Sequence, residues 1–435
     1  MRRLLVLFAF VLLCAPANAA AGTVFLVDGR GWGHGIGMSQ YGARGYAQAG
    51  WSHQRILAHY YRGTKLQLVP ARPVRVLLAE RKATVTIGST TPFKVVDARG
   101  KVRKLKAGLQ RVAGRKLAKL RSPLRFVPGA APLRLDGNAY RGALLVHRRG
   151  ATLTVVNKLP LDRYLRGVVP WEMPADWHQQ AMRAQAVVAR SYALATLKPG
   201  TIFDLYADTR SQVYGGIQAE AATTNRAIGA TAGRVLFWNG RVATTFYHST
   251  SGGKTISIAE AWPRATPVPY LVSVADPYDT LSKHHRWGPV LLTPAQVGRK
   301  VGMPRLRDLL VVRGRSGRAV SVRLKGVRST RTMLSQDFRR ALDLRSTWFT
   351  VRVLNLDPPL ERALANRPVK LRGFVRGLTK VRLEQQIAGG TWTTVRPVKT
   401  RADGRFTVTV TPRRATSYRL ATRRAAGGAV TVKPR

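Results

Sequence analysis

The hydrophobic pattern is most continuous at residues 177–197, WHQQAMRAQAVVARSYALATL, where no glycine or proline interrupts an alanine-rich run. That predicts a helix of about twenty residues, and one apolar on nearly every face is a buried helix. Pro174 suits its entry and Asp176 is the expected N-cap. His178, Gln185 and Tyr192 recur at a spacing that aligns them along the helix. Two readings of these polar residues stay open, internal hydrogen bonding that fixes the helix or a polar groove led by Glu172.

Elsewhere the pattern is shorter. Residues 24–27 read as a strand. The segment GRGWGHGIGMSQYGARGYAQAG alternates Gly31, Gly33, Gly35 and Gly37 with bulky residues, and in an extended chain this puts the glycines on one face. Ser39 is expected to cap a helix through Ala49, and Ser52 the next, HQRILAHYY. Residues 74–157 break into short strand-like runs between Gly, Pro and Asp. The very basic stretch 105–125 reads as a solvated excursion. A second Ala/Thr-rich helix is expected over 220–231, followed by a hairpin turning at Asn239-Gly240 that delivers the polar loop HSTSGG. After mixed structure over 292–356, Asp357-Pro358-Pro359 reads as a linker. In the tail Phe406, Val408 and Val410 alternate with Thr407 and Thr409, so residues 360–435 are expected to form a separate immunoglobulin-like β-sandwich module. The predicted fold class is α+β, a mixed β-rich core with a buried catalytic helix plus a small C-terminal β-sandwich.

Composition adds a compartment. Arg2 and Arg3, the apolar run 4–13 and Ala17-Asn18-Ala19 form a secretory signal peptide over residues 1–19. The expected location is therefore secreted, at the cell envelope. Cys14 is the one cysteine and leaves with that peptide, which removes thiolate chemistry and cysteine-ligated zinc from the expectations. The 74 basic residues against 20 acidic ones give a formal charge of +54, a field suited to polyanions. Anionic envelope polymers are the expected partners. Nucleic acid is not, because no helix-turn-helix, RNP-like strand or metal finger is present. The basic residues are dispersed, which reads as a solvated surface rather than one binding stripe. His34, His178 and His248 lack the H-x-x-x-H spacing of a metallohydrolase, and no metal or cofactor is expected.

Several long motifs together carry a resemblance. VVNKLPLDRYLRGVVPWEMPADWHQQAMRAQAVVARSYAL, DTRSQVYGG, TTFYHSTSGGKT and GRGWGHGIGMSQYGARGYAQAGWSHQRILAHYYRGT resemble the SpoIID/LytB family over roughly residues 24–350. The resemblance implies a secreted, peptidoglycan-acting protein, whose domain would occupy residues 20–356. Sporulation members are lytic transglycosylases, and other members are enhancers of cell-wall amidases. The family's catalytic glutamate, in its E-M-P motif, matches Glu172. Its histidine-serine loop matches His248, Ser249 and Ser251, and its AQAVVARSYA stretch matches Gln185, Arg190 and Tyr192. Gln212, His34, Ser39 and Gln40 complete the substrate-binding residues expected from the matched segments. Two departures stand out. The GWGHGIGMSQYGA segment comes first here, whereas in many relatives it closes the domain after a block like RSTWF, so residues 24–66 are expected to dock beside the segment ending at Phe349. Some relatives hold zinc through cysteines and histidines near the histidine loop, and this chain lacks those cysteines.

The expected chemistry is cleavage of a glycan by one carboxylate. Glu172 would protonate the leaving glycosidic oxygen and then take the proton of the muramic acid C6 hydroxyl, leaving a 1,6-anhydro end. Apolar neighbours Trp171, Met173 and Trp177 would raise its pKa. The alternative is a non-catalytic wall-binding protein that stimulates an N-acetylmuramoyl-L-alanine amidase.

Overall fold

The computed structural model describes residues 22–113, 120–198, 200–359 and 363–435. The signal-peptide reading falls outside the described residues. The chain forms two compact units, residues 30–285 and a second made of residues up to 29 together with 286–435. The architecture is mixed α/β with several sheets.

In the unit 30–285, six α-helices matter for the site. They are α1 (Gln40–Gln48), α2 (His53–Tyr60), α3 (Leu161–Arg166), α4 (Val169–Glu172), α5 (Gln179–Ala195) and α6 (Ala222–Ala230). Ser39 caps α1 by accepting from the Gly42 N–H at 3.1 Å, and Ser52 caps α2 through the Arg55 N–H at 3.3 Å. Helix α5 lies between two apolar clusters, which is why it is apolar all round. Ala181, Ala184, Val187 and Val188 join Ile36, Met38, Ile56 and Tyr60. Ala186, Ala189 and Ala193 join Val74, Val76, Tyr164 and Leu165. Asp176 does not cap α5. The Trp177 N–H donates to the Pro174 carbonyl at 3.1 Å, a tight turn that encloses Asp176 and leaves it exposed. The cap is His178, whose Nδ1 accepts from the Gln180 N–H at 3.2 Å, and the helix starts at Gln179.

A seven-stranded sheet backs the second cluster, ordered Leu205–Tyr206, Pro73–Lys82, Thr152–Pro160, Ala143–Arg149, Leu124–Val127, Phe93–Val96 and Val102–Leu105. The stretch 105–125 is not all solvated excursion. Gly108–Ala113 is a strand paired with Thr84–Ser89, and its Val112 is buried in the apolar cluster beneath. Residues 114–119 lie outside the described residues. The hairpin turns at Asn239-Gly240, both with positive φ (45° and 73°), as the type I′ geometry requires. The glycine-alternating segment is not extended. Gly31, Gly33, Gly35 and Gly37 have φ of 76°, 114°, 85° and 68°, so the alternation encodes repeated left-handed turns.

In the other unit, Thr23–Arg30 pairs antiparallel with Phe349–Leu356, from Thr23 opposite Asn355 to Gly29 opposite Phe349. Their five-stranded sheet runs Arg286–Leu292, Thr23–Arg30, Phe349–Leu356, Val369–Arg376, Arg405–Val410. The expected linker at 357–359 therefore joins two neighbouring strands of one sheet. A second sheet, of Thr393–Pro397, Arg382–Ile387, Thr416–Ala421 and Val430–Val432, completes that core. Val24, Leu26, Leu354 and Leu356 share one apolar cluster with Leu371, Leu383, Phe406 and Tyr418. Tail residues and residues from before the linker thus bury one another. No helix among the described residues is long and apolar enough to cross a membrane.

Candidate functional site

The site is built where three segments of the unit 30–285 converge. The short parallel bridge between Met38–Ser39 and Tyr247–His248 sets Met38 opposite Tyr247 and Ser39 opposite His248. This register brings Gln40, the first residue of α1, and Tyr247 to the same carboxylate, Glu172 at the end of α4. Gln40 Nε2 donates to Glu172 Oε2 at 3.3 Å, and the Tyr247 hydroxyl stands near enough to favour the charged form of Glu172.

A relay of donors stands behind that hydroxyl. Tyr164 donates to Gln212 Oε1 at 3.4 Å, and Gln212 Nε2 donates to the Tyr247 oxygen at 3.0 Å. The Tyr247 oxygen accepts from Gln212, which leaves its own proton to give on the side of Glu172. Burial first, and the Glu172 charge second, push the Tyr247 pKa well up, so it stays a donor. Burial also raises the pKa of Glu172, while Tyr247 and Gln40 favour its charged form and oppose the rise. The group therefore holds its proton to higher pH than an ordinary glutamate. Trp171 is not the source of this burial, since it stands 63% exposed; Met173 and Trp177 are buried.

A half-buried aromatic wall continues from Tyr247. Tyr192 lies 6.4 Å from Tyr247 and 5.8 Å from Phe246, ring centre to ring centre. Phe246 meets Trp262 at 5.0 Å and His34 at 6.0 Å, and His34 is 5.5 Å from His248. His34 Nδ1 accepts from the Ile36 N–H at 3.0 Å, and His248 Nδ1 lies 3.1 Å from the Ile36 carbonyl. One carboxylate beside such a wall suits a ligand with apolar ring faces and hydroxyl edges.

The expected substrate-binding residues separate into groups. Gln40, Gln212, Tyr192, His34 and His248 belong to the carboxylate network or the wall. Gln185 is buried on the α5 stripe it shares with Tyr192, and neither atom of its amide finds a protein partner. Ser249 bonds to Thr250 at 3.2 Å, and its carbonyl accepts from the Tyr41 N–H. Ser39 and Ser251 are wholly buried and fasten segments together. Ser39 Oγ accepts from the Ser251 N–H at 3.3 Å, and Ser251 Oγ donates to Asp279 at 2.9 Å. Arg190 is not a groove residue. Its guanidinium bonds Asp162 at 2.7 Å and the carbonyls of Arg234 and Ile228, a tie between α5, α3 and the end of α6.

Sequence reasoning missed Tyr164, Tyr247, Phe246 and a buried acidic pair, Asp276 and Asp279. Tyr60 donates to Asp276 at 2.9 Å, and His285 Nδ1 lies 2.7 Å from Asp279. Burial, then the Asp279 charge, push the Asp276 pKa up to about 7. Tyr247 had one signal, its place next to His248 at the strand end. Ser251, in the histidine loop, is committed to Asp279. Among the described residues no group of three or more His, Cys, Asp or Glu side chains is placed to hold a metal ion.

The site is thus a half-buried carboxylate with hydrogen-bond donors at its side and an aromatic wall beyond Tyr247. Residues 149–238, which contain Glu172, Gln185, Tyr192 and Gln212, match the family model described as Stage II sporulation protein. An amidase enhancer of Bacillus subtilis is 42% identical over 116 residues, 26% of this chain and 15% of that protein. Stage II sporulation protein D of Bacillus subtilis is 27% identical over 165 residues, 34% of this chain and 47% of that protein. An uncharacterized protein of Brachyspira hyodysenteriae is 34% identical over 143 residues, 32% and 38% of the two chains. The chain spans less than half the length of these curated relatives. No solved structure matches it at a significant level. Together the matches support assignment to the SpoIID/LytB family.

Proposed function

We propose that this is an extracytoplasmic lytic transglycosylase of peptidoglycan in which Glu172 is the one acid/base. The observation that carries the reading is the protonation control at Glu172, a carboxyl raised by burial yet wired to Tyr247 and Gln40 so that it ionises without losing its partners. Protonated Glu172 gives its proton to the glycosidic oxygen as the C1–O bond breaks. The muramic acid C6 hydroxyl attacks C1 of its own ring and gives its proton to the Glu172 carboxylate. The products are a 1,6-anhydro end and a new free hydroxyl on the leaving sugar, with no water consumed and Glu172 reset. Tyr192, Phe246 and Trp262 offer ring faces to the sugar. Glycan strands are the substrate class, and anionic envelope polymers are partners that the excess of basic residues favours.

Product analysis on purified glycan tests this. Glu172→Gln keeps shape and removes the proton, so it should fold, bind glycan and lose about two to four orders of magnitude in formation of anhydro ends. A folded variant that cleaves at the wild-type rate overturns the assignment. The likeness to an amidase enhancer favours a second reading, stimulation of a cell-wall amidase without cleavage. That reading takes over where wild type and Glu172→Gln leave glycan intact and stimulate an amidase equally.

A further inference from the structure

We propose that Trp171 is a sugar-stacking platform at the rim of the Glu172 site, taking the apolar face of a pyranose ring in an amino-sugar glycan next to the one being cut. This rests on the reading of Glu172 as the glycan-cleaving acid and extends it to a subsite.

Trp171 and Glu172 are consecutive on the one-turn helix α4, and they face different surroundings. Glu172 reaches Gln40 and Tyr247, while Trp171 is the large apolar side chain of this segment left in solvent, 63% exposed. Leaving so much indole in water forfeits the stabilisation that burial would bring. One edge of the ring sits against the backbone of Gly215, where a Cβ would run into Nε1 of the indole and into the Ala219 Cβ. The Gly215 N–H donates to the Gly167 carbonyl at 3.0 Å, which ties this backbone to the turn between α3 and α4. Three residues earlier the same loop carries Gln212, which orients Tyr247. The loop that carries the donor to Tyr247 thus also seats Trp171. Gly215 has φ of −93°, a conformation open to any residue, so the close approach of the indole and of the Ala219 Cβ, rather than backbone strain, favours glycine there. An exposed, amphipathic ring seated against Gly215 beside a carboxyl suits the flat apolar face of a sugar, and with two side-chain torsions an indole loses little conformational freedom on binding.

The test measures binding of purified glycan strands, freed of stem peptides, in the Glu172→Gln background, where turnover is blocked. Trp171→Ala should weaken binding about tenfold, and Trp171→Phe should restore most of it. Gly215→Ala, which displaces the ring, should weaken binding as well, and adding it to Trp171→Ala should cost nothing further. With Glu172 present, Trp171→Ala should change KM and leave the pH profile of kcat/KM in place, because the Glu172 network is untouched. Val102→Ala, an exposed apolar residue on a strand elsewhere in the same unit, controls for general loss of surface apolarity and should change nothing. Equal binding by Trp171→Ala and its parent overturns the platform while leaving Glu172 in place. Intact glycan binding with lost stimulation of an amidase overturns it in favour of a protein-docking residue. Glycan binding absent from the parent protein itself overturns the platform and the cleavage reading together.

Discussion

At the scale of single residues, the site depends on which proton each hydroxyl and amide has left to give. Tyr247 receives from Gln212 and its hydroxyl favours the charged form of Glu172, so Tyr247→Phe removes that support from the carboxylate. The Glu172 pKa should then rise further above its ordinary value. The limb of the kcat/KM profile that falls as pH rises should move to higher pH, and an unmoved limb would count against the relay. Asp276 allows a second experiment. It keeps its proton in the folded chain up to about pH 7 and releases it near 3.8 when unfolded. Between those values the folded state binds the extra proton, so stability falls as pH rises through that window. The groups facing it are Tyr60, Tyr46, Ser39, Ser251 and Asp279, with His285 on the far side of Asp279. Asp276→Asn should therefore gain stability over wild type as pH rises, on the order of a few kcal/mol by about pH 8 and little at about pH 4. Parallel melting curves at the two pH values would show whether the gap opens. Glu172 could be picked out in the sequence because it sits in a long motif beside Pro174. Asp276 and Asp279 could not, because a buried acidic pair is made by segments far apart in the chain, and nothing in the local spacing marks it.

At the scale of elements, the glycine run decides whether Gln40 and Tyr247 meet. Gly37 has φ of 68°, and a Cβ there would run into the Phe246 carbonyl. Gly33 has φ of 114°, and its Cβ would lie 2.7 Å from the Cβ of His248. These close approaches let Met38–Ser39 lie against Tyr247–His248 in register. Gly37→Ala should destabilise the protein by at least about 1–3 kcal/mol from backbone strain alone, with a further steric cost. Glycan cleavage should fall more than stability accounts for, because the register that aims Gln40 and Tyr247 is disturbed; a variant with wild-type melting temperature and activity would refute this. The caps Ser39 and Ser52 were legible because capping is local. The glycines were misleading, since alternation with bulky residues looks the same for an extended strand and for successive left-handed turns. Asp176 misled for a similar reason, because an acidic residue before a helix suits a turn as well as a cap.

At the scale of the whole molecule, the chain's charge and its division answer different questions. An excess of 54 positive charges concerns partners and solubility, not fold. The division follows burial, and here composition misplaces the boundary. Asp357-Pro358-Pro359 has the look of a linker, yet Phe349–Leu356 before it and Val369–Arg376 after it are paired strands. The sequence could not show this, because strand alternation tells which face is buried and not which strand lies alongside. A protein ending at residue 356 would leave Phe349–Leu356 with an open edge and strip Val24, Leu26, Leu354 and Leu356 of their partners in one apolar cluster. It should aggregate or melt without cooperativity, as size-exclusion chromatography and calorimetry would report. A protein of residues 30–285 instead keeps both apolar clusters around α5, the bridge between Met38–Ser39 and Tyr247–His248, and the whole Glu172 network. It should fold alone and form anhydro ends from purified glycan at a rate within about tenfold of the full chain. A shortened protein ending at 356 that melts cooperatively at the full-length temperature would show that the shared cluster adds nothing to stability. A folded 30–285 protein that cannot cleave would place part of the catalytic machinery in the other unit.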